Sequence, residues 1–361
     1  MIIISAIFDF FAKIISFFGN NVLPYIIAIL LFVILILIHE FGHFIAAKLL
    51  GVRVNEFAIG FGPKLFKWGK GETKYAVNLV PLGGYCAMEG EEEASDDSRA
   101  FCNKAPWKRF LIVVMGAVFN LLLGLVLVAI TLIPQERFST TTVDVFHENA
   151  VSSQYGLQEG DQIIGVDGRK IFTTYDLSYA FTNVDDGTID ITVKRDGEKV
   201  ELKDVKFATE QAEGINLLTV DFYIKGREKT FISFIDHTVD TALSNCAVVY
   251  RSLIDLISGK YGISAMSGPV GVTEAIGNVA RQNLLALIPI MALITINLGL
   301  FNLLPIPALD GGRLVFILFE MIFRKPVPQK YESMVHAVGM ALLLILMAVV
   351  SFKDIWMLFA R

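Results

Sequence analysis

Cysteine is scarce in this chain. Cys86, Cys102 and Cys246 are an odd number with no paired spacing, so neither a disulfide framework nor a thiolate zinc site is expected. Charge is sparse too. Asp, Glu, Lys and Arg make up 19% of the 361 residues, and the formal net charge is −5. No basic block stands out, so nucleic acid is not an expected partner. From 22 to 38 there is no charged residue at all. Hydrophobic residues make up 54% of the chain, and the mean hydropathy is +0.58. That is too apolar for an ordinary soluble domain, and it predicts several membrane spans with a smaller polar part.

The uncharged run ends at His39-Glu40-Phe41-Gly42-His43. If the run is helical, His39 and His43 lie four apart on one face. Two imidazoles at that spacing can grip one zinc ion and leave a position open for water. Glu40 stands where it can act as general base toward that water. From Val22 to His39 is about 25 Å at the helical rise, against a hydrocarbon core about 30 Å thick. His39 is therefore expected inside the membrane, near its far side.

Lys48, Arg53, Lys64, Lys67, Lys70, Lys74, Arg99, Lys104 and Lys108 follow, which assigns that far side to the cytoplasm. Before the motif, Met1 to Phe18 is apolar with no small-residue cleavage site after it, and reads as a retained membrane-associated helix. After it, Phe57 to Phe61, Tyr75 to Leu79 and Tyr85 to Met88 read as short strands between glycine-rich turns. A second span is expected over 110–134. Asn120 is its strongly polar residue, with Gly116 and Gly124 on the same face, where small residues admit another helix. Asn120 then points into that contact, either for an interhelical hydrogen bond or for a role near the metal. Residues 135–230 change character: they are polar and β-rich, with a hairpin signal at Asp196-Gly197. One span from the cytoplasm places this domain outside. The segment 231–272 has the period of an amphipathic helix on the membrane surface.

A third span, expected within 273–322, carries Asn302-Leu303-Leu304-Pro305-Ile306-Pro307-Ala308-Leu309-Asp310-Gly311-Gly312. Pro305 and Pro307 cannot both sit in a regular helix. Irregular backbone at membrane depth is tolerated where protein or a water-filled cavity surrounds it, so a broken helix at a site is expected. A fourth span follows over 335–357. Two histidines are too few for a catalytic zinc, and a third protein ligand is usual. Asp310 fits best in depth and charge, with His336 the weaker option, while His147 and His237 fall in the outer compartment. His39, His43 and Asp310 are thus the expected metal site.

These pieces together resemble the site-2 proteases, zinc metalloproteases that cut substrates within the membrane. More narrowly, they resemble the bacterial regulator-of-sigma-E protease group. The match runs through the His39 to His43 motif, Gly60-Phe61-Gly62-Pro63, Pro81-Leu82-Gly83-Gly84-Tyr85, Gly116 with Asn120, a PDZ-like region, Gly268-Pro269-Val270-Gly271, and Asn302 to Gly312. The resemblance implies zinc ligands His39, His43 and Asp310, and Glu40 as catalytic base. Asn302 and Pro305 are implied to hold substrate backbone, and Asn120 is grouped with them as a candidate substrate-binding residue. It also implies a membrane-dipping β-hairpin within 57–88 that pairs with an unwound substrate. There are departures: Gly116-Ala117 stands where Gly-Pro is common, and Gly84-Tyr85-Cys86-Ala87-Met88 where Gly-Tyr-Val-Lys-Met is usual. The PDZ-like region is single.

The expected fold is an α-helical multi-pass membrane protein of about four transmembrane helices. A cytoplasmic-side β-hairpin region spans part of 51–109, and one extracytoplasmic PDZ-like α/β domain has its core over about 140–208. The expected function is an intramembrane zinc endopeptidase of the bacterial cytoplasmic membrane, whose partners are the lipid bilayer and a transmembrane protein or peptide substrate. By resemblance the substrates are a pre-trimmed anti-sigma factor or remnant signal peptides. A non-catalytic membrane adaptor with a structural metal is the competing reading, and Glu40 argues against it because a closed structural site needs no base. A transporter is a third, disfavoured by four spans without internal repeats.

Overall fold

The computed structural model describes residues 23–91, 93–182, 184, 187–212, 215–259 and 267–360. The membrane-associated segment expected over 1–20 lies outside the described residues. Element order is α1 (Leu23–Leu49), β1 (Val54–Trp68), β2 (Lys74–Met88), α2 (Pro106–Leu132), β3 (Arg137–Phe146), β4 (Gln162–Val166), β5 (Arg169–Lys170), α3 (Thr174–Ala180), β6 (Thr188–Arg195), β7 (Glu198–Lys206), β8 (Ala208–Ala212), β9 (Ile215–Thr219), β10 (Phe222–Glu228), α4 (Phe231–Ile257), α5 (Pro269–Gln282), α6 (Leu287–Asn302), α7 (Asp310–Phe323) and α8 (Gln329–Ala360). The chain divides into two compact units, one of 1–127 with 255–361 and one of 128–254.

Among the described residues, four helices are long and apolar enough to cross a membrane: Leu23–Leu49, Pro106–Leu132, Leu284–Asn302 and Lys330–Met357. Proline opens α2 and α5, where its missing N–H is an orphan of the first turn anyway. The region 269–323 comprises three helices, α5, α6 and α7. Asn283 turns the chain between α5 and α6, its side chain accepting from the Leu285 N–H at 2.9 Å. The residues 303–309, with their two prolines, separate α6 from α7. α5 lays Ile276 beside Ala28 of α1 and Leu287. Its first turn is fixed by Asp354 of α8, whose carboxylate accepts from the N–H groups of Gly268 and Gly271 at 2.8 and 2.9 Å. A carboxylate is favourable there because the helix N-terminus is the positive end of its dipole.

β1 and β2 are longer than the three short pieces the sequence suggests, and they are folded over. Phe57, Ala58 and Ile59 pair with Cys86, Tyr85 and Gly84 on one side and with Tyr75, Ala76 and Val77 on the other. Lys64 to Trp68 add a further rung against 75–78. Residues 84–88 are thereby an edge: no further strand joins them among the described residues. Phe61, Leu65, Phe66, Trp68, Leu79 and Val80 are exposed at the far end of the hairpin, an apolar patch of the kind that marks a membrane or protein contact.

The second unit is an antiparallel sheet in the order β10-β3-β4-β6-β7. Val143, Leu157, Ile163, Val166, Leu177, Ile191 and Val193 form its core. Asp196 and Gly197, at φ 50° and 89°, make the tight turn between β6 and β7 that the sequence predicts. α3 is held by a capping box, Thr173 with Asp176. α4 is amphipathic, and part of its polar face is buried against the sheet unit. Arg251 meets Asp176 at 3.2 Å with both side chains buried. It also donates to the Lys170 carbonyl, and Thr173 donates to Ser244 at 2.9 Å. Buried polar groups need such partners. The face left exposed carries Phe231, Ile232, Ile235, Val239, Leu243, Tyr250 and Ile254.

Candidate active site

α1 presents His39 and His43 to α2, and two glycines make the approach possible. A side chain at Gly42 would collide with the Met115 carbonyl of α2. A Cβ on Gly116 would stand 2.8 Å from His39 Cε1 and closer still to the His43 ring. The two imidazoles are buried and perpendicular, their centroids 4.8 Å apart. Asp310 joins them from the first residue of α7. Its Oδ2 lies 3.1 Å from His39 Nε2 and 3.2 Å from His43 Nε2, and the two Nε2 atoms are 3.2 Å apart.

The protons decide what this triangle is for. His43 Nδ1 is 2.9 Å from the Ile112 carbonyl, which can only accept, so the ring proton sits on Nδ1. In the neutral ring, Nε2 of His43 then turns a lone pair toward Asp310. His39 Nδ1 is 3.1 Å from the Asn120 amide nitrogen, and Asn120 Oδ1 is buried without a partner. With the amide turned about χ2, Oδ1 would accept from His39 Nδ1–H, and in the neutral ring the second Nε2 would also be bare. With both rings neutral, three acceptor atoms about 3 Å apart repel one another unless a proton or a metal cation sits among them. Ligand atoms about 2.0–2.1 Å from a tetrahedral zinc stand about 3.3–3.4 Å apart, which is close to the spacing here. The outer partners, a backbone carbonyl and a buried amide, are those that fix a ligating histidine's tautomer and orientation.

Asp310 is aimed by the irregular segment before it. Ile306 N–H bonds to the Leu304 carbonyl at 2.7 Å, and Gly312 N–H to the Leu309 carbonyl at 3.1 Å. Any side chain at Gly311 or Gly312 would drive into the backbone of Leu304 or Ile306. Glu40 adjoins the triangle and feels the charges of His43, His39 and Asp310. Its Cγ lies 3.6 Å from where a Cβ on Gly84 would be, so the edge strand of the hairpin runs beside it. The lack of a side chain at Gly84 leaves that approach open.

A profile of peptidase family M50 matches residues 27–346. The chain belongs to peptidase family M50. A protein of Clostridium acetobutylicum is 37% identical over 331 residues, covering 91% of this chain and 96% of its own. One of Clostridium perfringens is 36% identical over 331 residues, covering 91% and 98%. One of Staphylococcus aureus is 28% identical over an alignment of 427 positions, covering 92% and 99%. Each is named a "putative zinc metalloprotease". The M50 chain is a zinc metalloprotease of the site-2 protease family and a membrane protein.

Within this M50 site, the other residues singled out in the sequence fall in different places. Asn120 is completely buried, its amide nitrogen 3.1 Å from His39 Nδ1. Asn302 is half-buried, and its amide nitrogen donates to the Leu298 carbonyl one turn back at 3.0 Å. Pro305 is exposed. His336 stays out of the triangle, with its Nδ1 occupied by the Ala308 N–H at 3.0 Å. His147 packs on Tyr223 and His237 on Phe138, both in the second unit. Two contributors escape sequence reading. The Ile112 carbonyl that fixes His43 is backbone and leaves no side-chain signal. Thr295, which donates to the Asn120 carbonyl at 3.2 Å, looks in sequence like any small residue of an apolar helix.

Proposed function

We propose that this chain is an intramembrane endopeptidase that hydrolyses peptide bonds within transmembrane segments. His39, His43 and Asp310 hold the zinc, and Glu40 is the general base. The observation that carries this reading is the convergence of His39 Nε2, His43 Nε2 and Asp310 Oδ2 at 3.1–3.2 Å from one another, with both histidines on a helix long and apolar enough to cross a membrane and Glu40 beside them. A bound zinc supplies Lewis acidity toward a water molecule and a peptide carbonyl. Glu40 takes a proton from the water as its oxygen attacks the carbonyl carbon, then returns it to the amide nitrogen as the C–N bond breaks. Ile112 and Asn120 keep the imidazole lone pairs directed inward throughout.

A helical substrate hides its peptide bonds, so it must be extended before attack. The edge at 84–88, next to Glu40, supports a role as template, since its backbone can pair with the unwound segment. Asn302 and Pro305, in the segment that leads to Asp310, are the residues assigned to the substrate backbone. The sheet of the second unit is a PDZ-like domain lying outside the cytoplasmic membrane of a bacterium, where it restricts entry of substrates with large outer parts. The substrate class is a pre-trimmed anti-sigma factor or a remnant signal peptide. Purified protein with zinc and a transmembrane peptide should yield two fragments, and the Glu40→Gln variant should yield none. An uncut peptide with fully zinc-loaded wild-type protein would refute the endopeptidase.

A further inference from the structure

Ala308 lies two residues before Asp310 and has φ 76°, a left-handed conformation that a non-glycine residue keeps only when its surroundings impose it. Two features of α8 impose it. The Ala308 N–H donates to His336 Nδ1 at 3.0 Å. Gly339, three residues on and so on the same helix face, brings the α8 backbone against Pro307: a Cβ there would stand 2.7 Å from the Pro307 carbonyl oxygen. The helix thus grips both residues of the turn, one by a hydrogen bond and one by contact. From the other side, Gly311 and Gly312 seat the start of α7 on the backbone of 303–306. Asp310 is the residue between these two grips.

We infer that His336 is a positioning residue for the Asp310 carboxylate, and that with Gly339 it makes α8 a clasp on the metal-site turn. His336 does not ligate. Its Nδ1 lone pair is committed to a backbone N–H, which leaves the ring proton on Nε2, and Nε2 is buried with no partner of its own. The chemistry required at this position is an acceptor at the Nδ1 locus, not a base or a charge. An aromatic ring without that acceptor, such as the somewhat larger phenyl ring, lets Ala308 relax toward an ordinary conformation and swings the carboxylate off the histidines. Asparagine, whose Oδ1 can reach the Nδ1 locus, restores the hold.

This inference rests on the reading of Asp310 as a zinc ligand, and the test separates the two. Full-length protein is purified as wild type and as D310A, H336F, H336N and G339A. Zinc affinity is measured by chelator competition, and the ligand geometry by the visible absorption of the cobalt-substituted protein. D310A should lose zinc affinity; if it binds as wild type does, the site reading fails. With D310A weakened, H336F should bind zinc about 10–100-fold less tightly, the usual loss when an outer-shell partner goes, with an altered cobalt spectrum. H336N should recover most of that loss. G339A attacks the same turn without touching the hydrogen bond, so it reports even if H336F does not fold. Weakened D310A together with wild-type affinity and spectrum in H336F, or in G339A, overturns the clasp. Equal loss in H336N and H336F overturns the role assigned to the acceptor.

Discussion

Replacing Gly116 with alanine tests the proposed zinc site with one methyl group. That methyl would stand 2.8 Å from His39 Cε1 and nearer to the His43 ring. Carbon atoms settle about 3.5–4.0 Å apart, so one or both rings must retreat by roughly 1 Å. A metal–ligand distance tolerates about 0.2 Å. Zinc affinity should therefore fall by at least the roughly 10–100-fold seen when an outer-shell partner is lost. Cleavage should fall by about 100-fold from misplacement alone, which is about 2.7 kcal/mol of transition-state stabilisation. Alanine is otherwise a better helix former than glycine by about 1 kcal/mol, so the loss cannot be charged to a weakened α2. The assay pairs chelator competition with cleavage of a transmembrane peptide. Folded G116A protein with wild-type affinity and rate would refute the account of what places the rings.

Glu40→Gln should keep its zinc while cleavage drops about 10²–10⁴-fold, as for loss of a general base; normal turnover would remove Glu40 from that role. Asp310→Ala should lower bound zinc together with activity, and full occupancy in the purified variant would point to another third ligand. Cys102 should react with an impermeant maleimide only after cells are opened, because the basic flanks of the spans assign it to the cytoplasm; labelling in intact cells would invert the topology. Cys86 is a poor reporter for that experiment, since burial, with the carboxylates of Glu40 and Glu91 nearby, pushes its thiol well above the usual range. Arg251→Met should destabilise the second unit by about 3–5 kcal/mol by leaving Asp176 buried and unpaired, and adding Asp176→Asn should recover part of that in a thermal melt.

Legibility in the sequence tracked how local each signal is. The His39–His43 pair needs only one helical turn, and the hydrophobic runs need only length, so the motif and the four spanning helices could be read directly. Asp310 is 267 residues from His43, yet it was reachable because an acid between two prolines and two glycines in an apolar stretch is hard to place anywhere but at a site. Long-range pairing was less accessible. The double register of β1 and β2 depends on the chain folding over itself, which three short β-prone pieces do not announce. For α4, periodicity gives a polar face but not the partner that face meets. The Arg251–Asp176 contact joins residues 75 apart in sequence. The sequence places Asn120 at an interhelical contact or near the metal without naming His39, since a polar residue among glycines looks the same whichever helix it meets.

The nearness of Glu40 to a free strand edge has an energetic reason if the substrate is a membrane helix. Extending a few residues of such a helix breaks several backbone hydrogen bonds, and each group left bare in lipid costs several kcal/mol. A gain spread over the reaction cannot offset that loss; replacement bonds must be available where and when the segment unwinds. Residues 84–88 offer an edge on the sheet, with Gly84 turned toward Glu40 without a side chain between. The same reasoning ranks substrates. A segment containing glycine or proline has fewer or weaker helical bonds to surrender, so it should be cut faster than a polyleucine segment of equal length. A substitution that disrupts the edge should slow the polyleucine segment more than the glycine-containing one. Equal slowing of both would mean that the edge acts after unwinding, and that the helix is opened somewhere else on the protein.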